Sequence, residues 1–380
     1  MNTFMGKVSV WLILLLLFGW VSALAQLTVT GDARMRPRWD LNDQTGANKN
    51  LSQDLYVMYR ARLRLKADIG EGWSFQSMLG HNGVGEYAGK FAKGDLPDIL
   101  GVEQSNLSND GARRATVDFM ELFINYERKD QGFKVGLFPI SSVGNPVYDL
   151  HYYPIRMIDI PYFIFNNDAI YGLSTFKKIG ETQFDLALYI DDDRGGYLES
   201  ATGVELKDQD DQYSLEFGVQ RTLGLVKLRF QSLFTIASDT LPKANTFSLR
   251  ANGWKLGETD IWAQAMYSFQ NRDKLGGNEG HFGVPTNPYD AYYLRLGASK
   301  KFGSDRFRVW FDLANRIDHF ETEDITHQYA YMWLEYSISL AETDKGRVLL
   351  TPRIRPILHR EEGNTLQSRQ KFELDLDIFF

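Results

Sequence analysis

The nine residues from Phe372 to Phe380 constrain the fold most. Phe372, Leu374, Leu376, Ile378 and Phe380 share one parity, and Glu373, Asp375 and Asp377 share the other. Alternate side chains of a strand face opposite sides, so this segment has one apolar face and one acidic face. A soluble sandwich would turn the acidic face to water, and a membrane barrel would turn the apolar face to lipid. The alternation recurs along the chain, which ends in Phe on this strand.

The chain has 380 residues, and no linker divides it. It has no cysteine, so its fold uses no disulfides. A mean hydropathy of −0.33 excludes a bundle of transmembrane helices. It is compatible with a membrane barrel, in which half of each strand faces a polar lumen. The formal charge of −7 argues against nucleic acid as a partner.

Residues 1–25 read as a secretory signal peptide, leaving 26–380 for the fold. Lys7 supplies the positive start, Val8 to Trp20 is almost wholly apolar, and Ala23-Leu24-Ala25 is a small-x-small cleavage site. The apolar run is too short for a comfortable membrane span.

Beyond that point strand-length alternation dominates. From Leu27 to Trp39, Leu27, Val29, Ala33 and Met35 face one way, while Asp32, Arg34, Arg36 and Arg38 face the other. From Leu55 to Ile69 the neutral face is unbroken, and Arg60, Arg62, Arg64, Lys66 and Asp68 line the reverse. A Gly-Glu-Gly turn leads to a strand at 73–80. Further strands are predicted at 115–127, 133–139, 168–177, 182–190, 212–222, 225–236, 245–256 and 259–270. The last five are 290–302, 306–317, 328–340, 347–359 and 368–380, which makes sixteen. A parity change near Met120 predicts a bulge.

Short connections alternate with long ones at about 40–53, 81–114, 140–167, 191–211, 237–244, 271–289, 318–327 and 360–367. Short turns on one rim and long loops on the other are the habit of outer-membrane barrels. In lipid every backbone polar group must be satisfied internally, so strands cross only as a closed barrel. The expected fold class is therefore all-β, a transmembrane antiparallel β-barrel of about sixteen strands. Closure sets the last strand beside the first, which would bring Lys371, Glu373, Asp375 and Asp377 next to Arg34, Arg36 and Arg38. Opposite charges at that seam would help fix its register.

With its leader, paired β-segments and terminal Phe, the whole chain resembles the Gram-negative outer-membrane porins. Gly31 to Arg38, Tyr59 to Lys66 and Gly72-Trp73 are similar to the start of substrate-selective porins and of the alginate-export family. The resemblance implies a water-filled diffusion channel for small hydrophilic or anionic solutes. It implies an outer-membrane setting among lipid and lipopolysaccharide. It also implies that the barrel-assembly machinery reads the last strand, with Phe372 and Phe380 as its aromatic signal. General porins are often homotrimers and the exporters are not expected to be, so subunit number stays open.

Two features are candidates for function. The first is a basic wall of Arg34, Arg36, Arg38, Arg60, Arg62, Arg64 and Lys66. Each cation would cost about 2–4 kcal/mol facing lipid at the midplane, so the wall must line the lumen. It would draw anionic or polyhydroxylated solutes, or it would form a salt-bridge lattice with the last strand and with Asp32, Asp68, Asp118 and Glu121. The second is the third long loop, 140–167, which is unusually apolar and aromatic and should pack on something. In the porins that the chain resembles, this loop folds inward and narrows the channel. Asp149 and Asp159 would then face the pore, with Tyr148, Tyr152, Tyr153 and Tyr162 stacking on sugar faces or sealing the loop.

Acidic clusters at Asp191 to Asp193, Asp208 to Asp211, and Glu321, Glu323 and Asp324 match no calcium-loop spacing. They read as solvated loop surface, with divalent bridging to lipopolysaccharide as the alternative. The six histidines form no metal-ligand spacing, and neither a nucleophile elbow nor a phosphate loop occurs. No enzyme and no cofactor is expected. The readings left open are a passive diffusion channel, a selective transporter of an acidic saccharide, and a closed barrel acting as receptor or adhesin.

Overall fold

The computed structural model describes residues 26–43, 51–82, 92–95, 116–139, 169–191, 212–237, 244–270, 288–319, 323–361 and 366–380. The expected leader, 1–25, lies outside the described residues, as do Tyr148, Asp149, Tyr152, Tyr153, Asp159 and Tyr162 of the third loop.

The strands in chain order are β1 (Gln26–Asp43), β2 (Leu51–Gly70), β3 (Trp73–Asn82), β4 (Ala92–Asp95), β5 (Thr116–Arg128) and β6 (Gln131–Pro139). Next come β7 (Ala169–Ile179), β8 (Thr182–Asp191), β9 (Gln212–Leu223), β10 (Val226–Ala237), β11 (Ala244–Leu256) and β12 (Thr259–Gln270). The last are β13 (Tyr289–Phe302), β14 (Asp305–His319), β15 (Asp324–Thr343), β16 (Gly346–Glu361) and β17 (Gln367–Phe379). Sixteen of them form one closed antiparallel barrel, in which β17 returns to β1. The four-residue β4 instead adds to β2, from Tyr56 opposite Asp95 to Tyr59 opposite Ala92. Closure leaves the sheet no free edge in the apolar zone, as a membrane-spanning sheet requires.

The sixteen strands expected from alternation are all present. β15 departs most, starting at Asp324 rather than 328 and so claiming part of the expected 318–327 loop. β4 was not expected, because four residues are too few to show a period. The bulge at Met120 is real: Met78 faces Glu121 and Leu79 faces Phe119, so Met120 has no partner.

Four short turns open on a glycine with φ between 60° and 62°, namely Gly180, Gly224, Gly257 and Gly303. A positive φ at the first central residue suits the two-residue hairpin turns whose twist matches the strands, and glycine adopts it without steric penalty.

The barrel is inside-out relative to a soluble protein. On β17 Lys371, Glu373, Asp375 and Asp377 are buried, whereas Leu374 and Ile378 are 44% and 40% exposed. Aromatic rings mark both ends of the apolar band. Trp73 packs on Tyr126 and Phe133 at 4.9 and 5.5 Å near the short turns. Trp39 packs on Phe372 at 5.6 Å, and Tyr267 on Tyr292 at 5.0 Å, towards the long loops. Such rings sit at the two interfaces of a membrane barrel.

Candidate functional site

The inner wall is built by parity. Where one face of a strand must be apolar for lipid, the other is free to carry charge, and neighbouring strands place those charges side by side. The densest array runs across β16, β17, β1 and β2. In the β17–β1 register Asp377 lies opposite Arg34, Glu373 opposite Arg38 and Lys371 opposite Asp40. The expected seam is therefore formed.

Asp375 has no exposed surface and is its centre. Arg36 grips it with two hydrogen bonds, Nε to Oδ1 at 2.6 Å and Nη2 to Oδ2 at 2.8 Å. Arg353 of β16 donates to it at 2.9 Å and to Glu373 at 3.0 Å. Arg38 and Arg355 both pair with Glu373, and Arg34 pairs with Asp377 and, at 3.5 Å, with Asp375. The lattice continues into β15, where Glu335 accepts from Arg353 at 3.0 Å and meets Arg308 of β14 at 3.3 Å. Trp333 of β15 lies beneath the guanidiniums of Arg353 and Arg355, at 4.4 and 4.8 Å. Farther round, Arg295 of β13 binds Asp312 of β14 through two hydrogen bonds at 2.7 and 3.0 Å. Multiply paired carboxylates of this kind offset the cost of holding charge away from bulk water.

On the β2 side the balance differs. Asp32 of β1 is contacted by three guanidiniums: Arg60 at 3.0 Å, Arg62 at 2.8 Å and Arg64 at 3.3 Å. Three cations converge on this one carboxylate, and the Arg64 side chain is 43% exposed. Lys66, the next residue of this face towards the short-turn rim, is exposed. Asp68 does not join the lattice through this wall; it is exposed and accepts from its own turn at Gly70 N, 3.0 Å away. The side chain of Asp118 lies outside the described residues.

Across the barrel the inner face of β9–β12 carries mostly hydroxyls and carboxamides. Ser214, Gln231, Thr246, Ser248, Gln264, Ser268 and Gln270 are all buried there. Glu216 accepts from Tyr189 and from Gln231, both at 2.7 Å. The Oγ atoms of Ser214 and Ser248, Nε2 of Gln264 and both amide atoms of Gln270 have no protein partner.

Sequence reasoning found the β1, β2 and β17 charges and missed the rest. Arg353 and Arg355 repeat the Arg-x-Arg pattern of β1, so parity alone would have found them. The hydroxyls and carboxamides of β9–β12 give no charge signal, and only reading each inner face in turn would have shown them beside Glu216, Arg229 and Arg250. Phe372 and Phe380 are placed at the seam. Phe380 exchanges backbone hydrogen bonds with Gly31, at 2.7 and 3.0 Å, and its ring occupies the space that a side chain at 31 would need.

No family model matches the sequence, and no curated protein matches it either. Solved structures do share its fold. The anion-selective porin from Comamonas acidovorans superposes with a TM-score of 0.59 at 13% identity, over 94% of this chain and 100% of that one. The in-vitro folded trimer form of OmpT, an outer membrane protein of Vibrio cholerae, gives 0.52 at 9% identity, over 94% and 100%. The outer membrane channel DcaP of Acinetobacter baumannii gives 0.52 at 8% identity, over 94% and 98%. The fold of this chain is that of the bacterial outer-membrane porins.

Proposed function

We propose that the chain is a porin of the bacterial outer membrane, a water-filled channel for passive diffusion of small hydrophilic solutes with a preference for anions. Sixteen strands leave an aqueous passage rather than a packed interior. The observation that carries the preference is the convergence of Arg60, Arg62 and Arg64 on Asp32, with the Arg64 side chain 43% exposed. On this reading the β17–β1 pairs hold the wall rigid, while the unbalanced end of β2, with Arg64 and Lys66, supplies a positive field in the lumen. The similar porin of Comamonas acidovorans carries anion selectivity in its name.

The hydroxyl- and amide-rich wall of β9–β12 supports a second preference. Its unpartnered hydroxyls and amides suit polyhydroxylated solutes such as saccharides. The third loop, with Asp149, Asp159 and its four tyrosines, would narrow the passage. Phe372, packed outward on Trp39, and Phe380 at the seam would serve as the assembly signal. Lipid and lipopolysaccharide surround the barrel on this reading, and a homotrimer is the expected assembly. Liposome swelling tests the channel: vesicles containing the refolded 26–380 chain should swell in small sugars and in salts of small organic anions. Swelling no faster than in empty vesicles would favour a closed barrel.

A further inference from the structure

The outer wall of β12–β16 carries a groove of about 720 Å³ near the long-loop side. Its residues fall in two rows fixed by strand register. Tyr292, Asn315, Gln328 and Arg360 lie opposite one another across β13, β14, β15 and β16. One outward position nearer the short turns, Leu294, Leu313, Ala330 and Leu358 form the second row, which Ala265 extends onto β12. A polar row thus stands directly above an apolar one. The two alanines open the depression between larger neighbours, because methyl groups there leave space that leucines would fill.

The height of the groove gives it meaning, and this step rests on the membrane reading above. Leu294 is eight residues from the end of β13 at Phe302. At about 3.3 Å per residue and a tilt near 40°, that is roughly 20 Å of vertical height. The polar row is two residues higher, at roughly 25 Å, where the apolar band of a membrane barrel ends. The apolar row therefore lies at acyl-chain depth and the polar row at headgroup depth.

Arg360 is exposed and makes no ion pair among the described residues. The Oδ1 of Asn315 is buried without a partner. Among the described residues, the carboxylates Asp290 and Asp324 nearby are engaged: His319 contacts Asp290 at 3.0 Å and Asp324 at 2.9 Å, and the Tyr267 hydroxyl donates to Asp290 at 2.6 Å. Glu361, next to Arg360, has the opposite parity. The row thus ends in a guanidinium that is unpaired among the described residues, beside two carboxamides and over an apolar floor.

We infer that this groove binds one phosphate-bearing lipid of the outer leaflet, with its phosphate on Arg360 and an acyl chain along Leu313, Ala330 and Leu358. Guanidinium recognises phosphate through paired donors, and an acyl chain fills an apolar recess that loosely ordered lipid covers poorly.

Native mass spectrometry of the full barrel in neutral detergent, titrated with dipalmitoyl phosphatidylglycerol, tests this. One lipid per barrel should bind ahead of all others. R360Q should weaken that binding about tenfold. A330F, which fills the recess without changing charge, should abolish it. Millimolar inorganic phosphate should not compete, because the acyl chain supplies half the site. Equal lipid retention in the wild type and both variants, or displacement by free phosphate, overturns the inference. So does an A330F variant that keeps its lipid but changes the number of barrels per particle, since a second copy would then occupy the groove. Heat-modifiable migration shows that each variant is folded. Unchanged conductance in both variants separates a failure of the groove from a failure of the channel reading.

Discussion

Asp375 and Arg64 show how one inner wall serves two ends. Asp375 is wholly buried between Arg36 and Arg353. Removing its charge leaves both guanidiniums short of a partner away from bulk water, so D375N should cost about 3–5 kcal/mol. The check is the urea midpoint of the refolded barrel, which should fall clearly. The Arg64 side chain is 43% exposed, and it shares its partner Asp32 with two other arginines. Such a pair contributes about 0–1 kcal/mol, so R64Q should leave that midpoint nearly unchanged. Its effect should fall instead on the ratio of anion to cation current. At the terminus the constraint is space. A Cβ at position 31 would run into the Phe380 ring, so G31V should displace the last aromatic and lower the yield of heat-modifiable barrel. Equal yields of G31V and wild type would show that the seam tolerates a displaced ring.

At the scale of the element, the strands were legible because lipid forbids charge on every second residue. That rule produced the clean neutral faces of β2, β8, β12 and β14. The seam was legible because the first and last strands carry opposite charges at matching parity, and closure requires the two to pair. The β4 strand was not legible, since a four-residue edge addition has no period to detect. The β16 arginines were overlooked although their spacing is that of β1. The signal there was parity followed around the whole barrel, not a run of charge on two strands. The turns supply an independent check. Gly303 has φ 62°, a conformation that a β-branched residue adopts only under strain. G303V should destabilise the barrel by about 1–3 kcal/mol, read as a lower urea midpoint with unchanged conductance. For the third loop, deletion of 146–162 should raise single-channel conductance if the loop narrows the passage, and leave it unchanged if it does not.

At the scale of the whole molecule, the circumference is divided. The arc from β13 through β17 to β2 is a charged lattice, and the arc of β9–β12 is lined mostly by hydroxyls and amides, with Glu216, Arg229 and Arg250 among them. If the barrel conducts, a dense charged wall facing a sparsely charged one should give the passage a lateral field rather than a uniform one. The outer surface is divided as well, with the lipid-binding groove on the wall that backs part of the charged arc. Fold and lumen chemistry therefore follow from one periodic rule, whereas the exterior groove depends on two alanines that no periodicity would single out.

If the barrel conducts, its preference should come from the β2 arginines gathered around Asp32. The most direct test is the zero-current potential of single channels in a planar bilayer under a salt gradient, for the wild type and for the triple R60Q, R62Q and R64Q variant. The wild type should show steady open current with anion preference, and the variant should lose that preference at similar conductance. Cation preference in the wild type, or an anion preference that survives the triple substitution, would contradict it.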